Sequence, residues 1–162
     1  MTKLSNNRRE ECQLKIIDEM HHRGFLADVT RGNIPNTDIR CSNQERTKFV
    51  HLIVKTFLPG SRTCIVGPKA EIYFGDNFFW ILGGIPLHAS GLKSIFYFIP
   101  SKIISENNKA GHELWLKTPG KKGRPHMDNN VRTIEIPPYK SIFGWDICEY
   151  KSRWDLIEEK LK

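Results

Sequence analysis

The run FVHLIVKTF, Phe49 to Phe57, constrains this chain more than any other segment. It combines β-branched and aromatic residues with too few polar ones for a strand that faces water. Only His51, Lys55 and Thr56 interrupt its apolar character. Such a segment is expected to be the central strand of a sheet covered on both faces. A sheet of that kind needs helices or further strands to cover it, and the rest of the chain supplies candidates. The longest wholly apolar stretch, Phe78 to Leu87, is broken by two glycines and a proline, and it falls well short of the roughly 20 residues that a membrane helix needs.

Arg8 to His22 reads as a helix, because Gln13, Ile16, Ile17 and Met20 recur at the spacing of one helical face. Gly24 is expected to end it. A short strand at Phe25 to Thr30 leads into the turn-rich loop GNIPNT, and Asp38 opens a second strand, DIRCS. The polar turn NQER then precedes the central strand. Beyond it, Lys69 to Phe74 and Phe78 to Leu82 both look strand-like, with Gly75, Asp76 and Asn77 as the turn of a hairpin. Gly83 to Gly91 reads as a flexible link, IFYFIP as a further strand, and Ser101 as the N-cap of a helix through about Leu116. A late strand at Val131 to Ile136 and a closing helix at Ser152 to Leu161 complete the chain. This order predicts one α/β (α+β) domain over residues 1–162, with a mixed sheet flanked by helices.

Charge narrows the function classes. The 162 residues include 25 Lys plus Arg against 18 Asp plus Glu, a net charge of +7. Such an excess favours a polyanionic partner, since clustered cations displace counterions condensed on phosphates. The segment LKTPGKKGRPH gathers Lys117, Lys121, Lys122 and Arg124 in an aperiodic loop suited to following a phosphate backbone, or simply to being solvated. Cys12, Cys41, Cys64 and Cys148 lie far apart without a CxxC pair, which argues against a zinc ribbon or a disulfide scaffold. They read as reduced thiols with packing roles. The polar start MTKLSNNRREE has no apolar signal region, so a cytoplasmic location without a membrane anchor is expected.

The chemistry concentrates between Gly32 and Thr56. Side chains alternate along strands, so Asp38 and Arg40 share one face, as do His51, Ile53 and Lys55. If the faces coincide, Asp38 and Lys55 project together, within the range over which opposite charges influence each other. A carboxylate beside a lysine can hold Mg²⁺ against a phosphodiester and offset charge developing on its oxygens. By spacing alone Asp38 equally suits an Asx turn at a strand entry, and Lys55 a lysine snorkelling from a strand edge. His51 reads as a hydrogen-bonded histidine on a half-buried face. His112 and His126 lack partners at metal-ligand spacing, and Trp115, Trp145 and Trp154 read first as core.

With these residues in view, the sequence resembles the PD-(D/E)XK nuclease superfamily, the restriction-endonuclease-like fold, and is most similar to its small bacterial single-domain branch. The resemblance rests on Arg23, Gly24 and Phe25, on Gly32, Asn33 and Pro35 to Asp38, and on Val54 to Thr56. It continues through Lys69 to Glu71, Ile99 to Glu106, His112, Trp115 and His126 to Arg132, about four-fifths of the chain. It implies a Mg²⁺- or Mn²⁺-dependent endonuclease acting on DNA, in particular double-stranded DNA, for which a twofold dimer would be suited. Asp38 and the Val54 carbonyl would bind the metal, Glu10 or Gln13 would complete its shell, and Lys55 would act on the attacking water. Arg40, Lys117, Lys121, Lys122 and Arg124 would hold the nucleic acid. Two positions depart from the family pattern. Ile53 stands where a Glu or Gln is expected, and Gln13 where the first helix often has Glu; Glu10, one turn earlier on the same face, is the substitute. The alternative is a degenerate member that binds nucleic acid or a protein without cutting.

Overall fold

The computed structural model describes residues 2–162. The apolar run forms strand β3 (Phe49–Phe57), and it is indeed central in a five-stranded mixed sheet. On one side lie β2 (Ile39–Ser42) and then β1 (Leu26–Val29), both antiparallel to their neighbours. On the other side β5 (Phe78–Gly84) runs parallel to β3, and β6 (Ile95–Pro100) is antiparallel to β5. The strand order is β1-β2-β3-β5-β6. Between β3 and β5 the chain makes the short strand β4 (Thr63–Ile65), which pairs with β7 (Thr133–Glu135) in a separate two-stranded ribbon.

Alternation sorts the sheet's side chains into two cores. Val50, Leu52 and Val54 of β3 pack with Ile39, Cys41, Phe79 and Ile81 under helices α1 (Lys3–His22) and α3 (Trp154–Leu161). Ile53 and Phe57 face the other way and join Trp80, Leu82, Ile99 and Ile104 under α2 (Ser101–Lys117) and the β4–β7 ribbon. Helix α1 presents Cys12, Gln13, Ile16 and Met20 to the sheet, and Gly24, at φ 88°, turns the chain out of it. The result is an α+β fold, and no helix among the described residues is long and apolar enough to cross a membrane.

Three sequence expectations are corrected here. Lys69 to Phe74 is not a strand and makes no hairpin with β5: Pro68–Glu71 is a 3₁₀ turn, and β5 pairs with β3 and β6 instead. Ser101 is the first residue of α2 rather than its N-cap. Its buried hydroxyl accepts from the Phe74 N–H at 3.1 Å, which fastens the 3₁₀ segment to the helix. Gly83 and Gly84 are not a flexible link but the last residues of β5. A Cβ on Gly83 would lie 2.4 Å from the Cys12 sulfur of α1, and one on Gly84 2.8 Å from the Phe57 ring. These glycines let a helix and an aromatic ring approach the sheet from opposite faces.

Gly83→Ala should therefore push α1 off the sheet and destabilise the fold by about 1–3 kcal/mol, the usual cost of overpacking. Urea denaturation is the measurement. Adding Cys12→Ala, which removes the clashing sulfur, should recover part of that loss.

Candidate active site

The loop between β1 and β2 places Asp38 at the end of the sheet. Gly32 (φ 83°) and Asn36 (φ 53°) take the left-handed turns that the GNIPNT sequence favours. The Thr30 N–H closes the loop on the Asp38 carbonyl at 2.9 Å, and the Thr30 hydroxyl donates to the Thr37 carbonyl. Asp38 is then anchored to β3 twice. Its N–H donates to the Leu52 carbonyl at 2.8 Å, and its Oδ2 accepts the Val54 N–H at 2.8 Å. The side chain thus replaces a ladder acceptor at the point where β2 has already left β3.

The other carboxylate oxygen, Oδ1, accepts from Arg9 of α1. Asp38 is 19% exposed and Arg9 41%, so the pair sits at the mouth of a cleft rather than in the core. That cleft, about 310 Å³, lies between α1 and the β1–β2 loop and is lined by Arg9, Glu10, Gln13, Thr30, Gly32 and Asp38 among others. Three expected site residues, Asp38, Glu10 and Gln13, therefore meet in one place. Arg9 was missed by sequence reasoning. Helical spacing marks Glu10 and Gln13 as sharing a face, but the arm of Arg9 reaches that face from its flank; its signal was only its neighbouring position on the same turn.

Lys55 and Ile53 fall elsewhere. Pairing of Ile39 with Leu52 makes Ile53 the next position opposite Asp38, and Lys55 lies two residues further on the same face. Neither lines the Asp38 cleft. Ile53 is 7% exposed and belongs to the apolar core under α2. Lys55 is half-buried near the Cys64 thiol, where its charge offsets part of the burial that pushes this thiol up to about 12. Among the described residues Asp38 pairs with Arg9, and Lys55 has no ion pair. Arg40 lies on β2, opposite His51 and over the Phe49 ring, with its guanidinium carbon 5.2 Å from the ring centroid. His51 stacks on Phe78 at 4.6 Å, and its Nδ1 is 3.2 Å from the Thr37 hydroxyl.

Among the described residues no three His, Cys, Asp or Glu side chains form a group able to hold a metal. The cleft offers two carboxylates and one amide oxygen, hard donors of the type Mg²⁺ takes when it keeps several waters. That chemistry fits the ion, with Arg9 as its competitor for Asp38. The basic loop is a separate exposed feature. Lys121–Gly123 forms a 3₁₀ turn held to the end of α2, where His126 Nδ1 lies 2.7 Å from the Trp115 carbonyl. Lys121, Lys122 and Arg124 of this loop are exposed, as is Lys117 at the end of α2. Compared with family models, curated proteins and solved structures, the chain finds no match.

The His51 imidazole is held below its ordinary value of 6.5, first by burial and then by the Arg40 charge. A depressed folded value means that the unfolded chain takes up the proton first. Stability is therefore complete above about 6.5 and is lost as pH falls from there through the folded value. Between pH of about 7.5 and about 5, chemical denaturation should show a larger loss for the wild type than for His51→Gln.

Proposed function

We propose that the chain is a nucleic-acid-binding protein of the restriction-endonuclease-like type, and that the Asp38 cleft hydrolyses phosphodiester bonds with Mg²⁺. The observation that carries this reading is the convergence of Asp38, Glu10 and Gln13 at the end of the sheet, with Arg9 beside them. The strand order, three antiparallel strands followed by one parallel to β3, supports it as well.

In this mechanism Asp38 and Glu10 would hold the ion and Gln13 would add its amide oxygen. Bound there, Mg²⁺ supplies Lewis-acid polarisation of the scissile phosphate and a more acidic bound water. The Val54 N–H fixes the Asp38 carboxylate in one orientation, so that it does not reorganise when substrate arrives. Arg9, already on Asp38, moves to a phosphate oxygen and offsets its charge. Lys55, one position beyond Val54 on β3, would act on the attacking water. The +7 charge and the Lys117–Arg124 loop draw the nucleic acid to the surface.

A second reading, binding without cleavage, is favoured by two observations. Arg9 already neutralises Asp38, and the Ile53 side chain is packed into the apolar core instead of lining the cleft. A plasmid-nicking assay with Mg²⁺ or Mn²⁺ separates the two. Wild type should nick, and Asp38→Asn should lower the rate by about a hundredfold or more, the scale of losing a principal electrostatic group. If the wild type cleaves no nucleic acid with either ion, the protein is a binder.

Both readings require phosphate contacts. Binding to duplex DNA should weaken steeply as salt rises from about 50 to about 200 mM, and replacing Lys121, Lys122 and Arg124 together by Ala should lower the log–log slope by about 3. Titration by fluorescence anisotropy measures both; an unchanged slope would make the loop an ordinary solvated surface.

A further inference from the structure

Half of one sheet face is bare. Helix α1 covers β1 and β2 from the side of Ala27, Cys41 and Val50, whereas α2 packs over β5 and β6 on the opposite side. Alternation puts Asp28, Arg40, His51 and Phe78 in one row across that opposite side, with Phe49 two residues from His51 on the same face. Asp28 and Arg40 are exposed, and Phe49, His51 and Phe78 are half-buried. Among the described residues, therefore, no element closes over the β1–β2–β3 part of the row. A sheet face turned to water ordinarily carries polar side chains. This one carries two phenylalanines and a histidine beside its one cation.

The row suits a flat, uncharged group attached to phosphates. With its inner side over Phe49, the Arg40 guanidinium turns its outer side to water. Among the described residues it has no ion pair, not even with its cross-strand neighbour Asp28. A guanidinium plane backed by a ring is a surface on which a nucleobase stacks. Next to it, His51 stands against Phe78 with an interplanar angle of 15°. Burial and the Arg40 charge hold this imidazole below its ordinary value, so it adds an aromatic edge without a second charge. The face also adjoins the candidate site. Arg40 is two residues, about 6.8 Å, along the chain from Asp38, and His51 meets the hydroxyl of Thr37, the residue before Asp38. At the far end of the β2–β3 hairpin, Arg46 and Lys48 are exposed around a single acid, Glu45. An anionic strand laid along the hairpin thus passes from the Asp38 loop over Arg40 to two further cations.

We propose that the bare β1–β2–β3 face is a stacking platform for an unpaired nucleobase of a nucleic-acid strand, with the base lying on the Arg40–Phe49 pair. The proposal deepens the nucleic-acid reading above and rests on it. It gives Arg40 a role beyond the phosphate contact expected of it, because the plane of the guanidinium, and not only its charge, is used. A duplex keeps its bases stacked on one another and offers this face phosphates alone, whereas an unpaired strand offers the rings as well. Every base has a π face, so the platform selects unpaired strands over duplex rather than one base over another.

The test uses the full chain in EDTA, so that cleavage plays no part, with three fluorescein-labelled probes: a mixed-sequence DNA strand, the same backbone with abasic sites in place of its bases, and the corresponding duplex. Anisotropy should show the strand binding about tenfold tighter than the abasic backbone, within the range for one stacked base. Arg40→Lys keeps the charge but removes the plane. It should reduce that ratio to about twofold or less while leaving duplex binding unchanged; the wild-type comparison stands even if this variant folds poorly. Equal affinity for strand and abasic backbone, or an undiminished ratio in Arg40→Lys, overturns the platform but leaves salt-dependent nucleic-acid binding intact. An equal loss for strand and duplex makes Arg40 a phosphate contact alone and overturns it too. A dimer in sedimentation that Arg40→Glu dissociates and the strand does not displace gives the face to a second copy of the chain, against the proposal. Failure to bind any probe overturns both this proposal and the reading beneath it.

Discussion

One strand carries the architecture. β3 is hydrogen-bonded along both edges, antiparallel to β2 and parallel to β5, and its alternating side chains enter both cores. Everything with chemical interest is positioned by where its neighbours leave it. β2 departs at Asp38, and the carboxylate takes over as acceptor for the Val54 N–H. A carboxylate fixed by a backbone donor cannot rotate freely, which is useful for binding a cation in one geometry and also stabilises the strand. The same contact serves structure and chemistry, so the hydrogen bond alone does not distinguish an enzyme from a relic. Arg9 is the sharper discriminator. A guanidinium on Asp38 is a satisfactory resting counter-ion, and it is partly exposed, so its outer side is open to solvent.

What the sequence made legible follows from how local each signal is. β3 was readable to its ends because an apolar run between polar turns depends on nothing distant. The α1 face was readable for the same reason, and with it the meeting of Glu10 and Gln13. The segment Lys69 to Phe74 misled because its composition suits a strand, but its partners are tertiary. Ala70 is fully buried, whereas Ile72 and Tyr73 are about half exposed, and the neighbouring backbone is claimed by Ser101 rather than by a strand. Gly83 and Gly84 misled in the opposite direction. Glycine suggested flexibility, but the approach of Cys12 and Phe57 made its missing side chain a packing requirement. β4 is three residues long, too short to leave a periodic signal.

The candidate site divides along the same line. Asp38, Glu10 and Gln13 line one cleft, as the family resemblance implied. Lys55 does not join them, because alternation fixes which face a residue occupies but not how far a long side chain leans along it. The buried Asn108 had one faint trace in the sequence, two consecutive asparagines inside an otherwise amphipathic helix, where an apolar residue would be the ordinary choice for a buried position.

The misread 3₁₀ turn joins the Asp38 loop to the segment that enters β7. At its start, Lys69 donates to Asn36 Oδ1 at 2.9 Å, in the loop that carries Asp38. At its end, Glu71 accepts from Arg132, whose guanidinium also donates to the Asn129 and Val131 carbonyls ahead of β7. One residue, Ala70, separates these contacts, and Ser101 of α2 holds the backbone just after the turn at Phe74. A strand and hairpin in this place would have carried the chain to the sheet edge and left the Asp38 loop without a support. The turn instead ties the Asp38 loop to the segment entering β7, so the position of the carboxylate depends on packing beyond the β1–β2 loop as well as on β3.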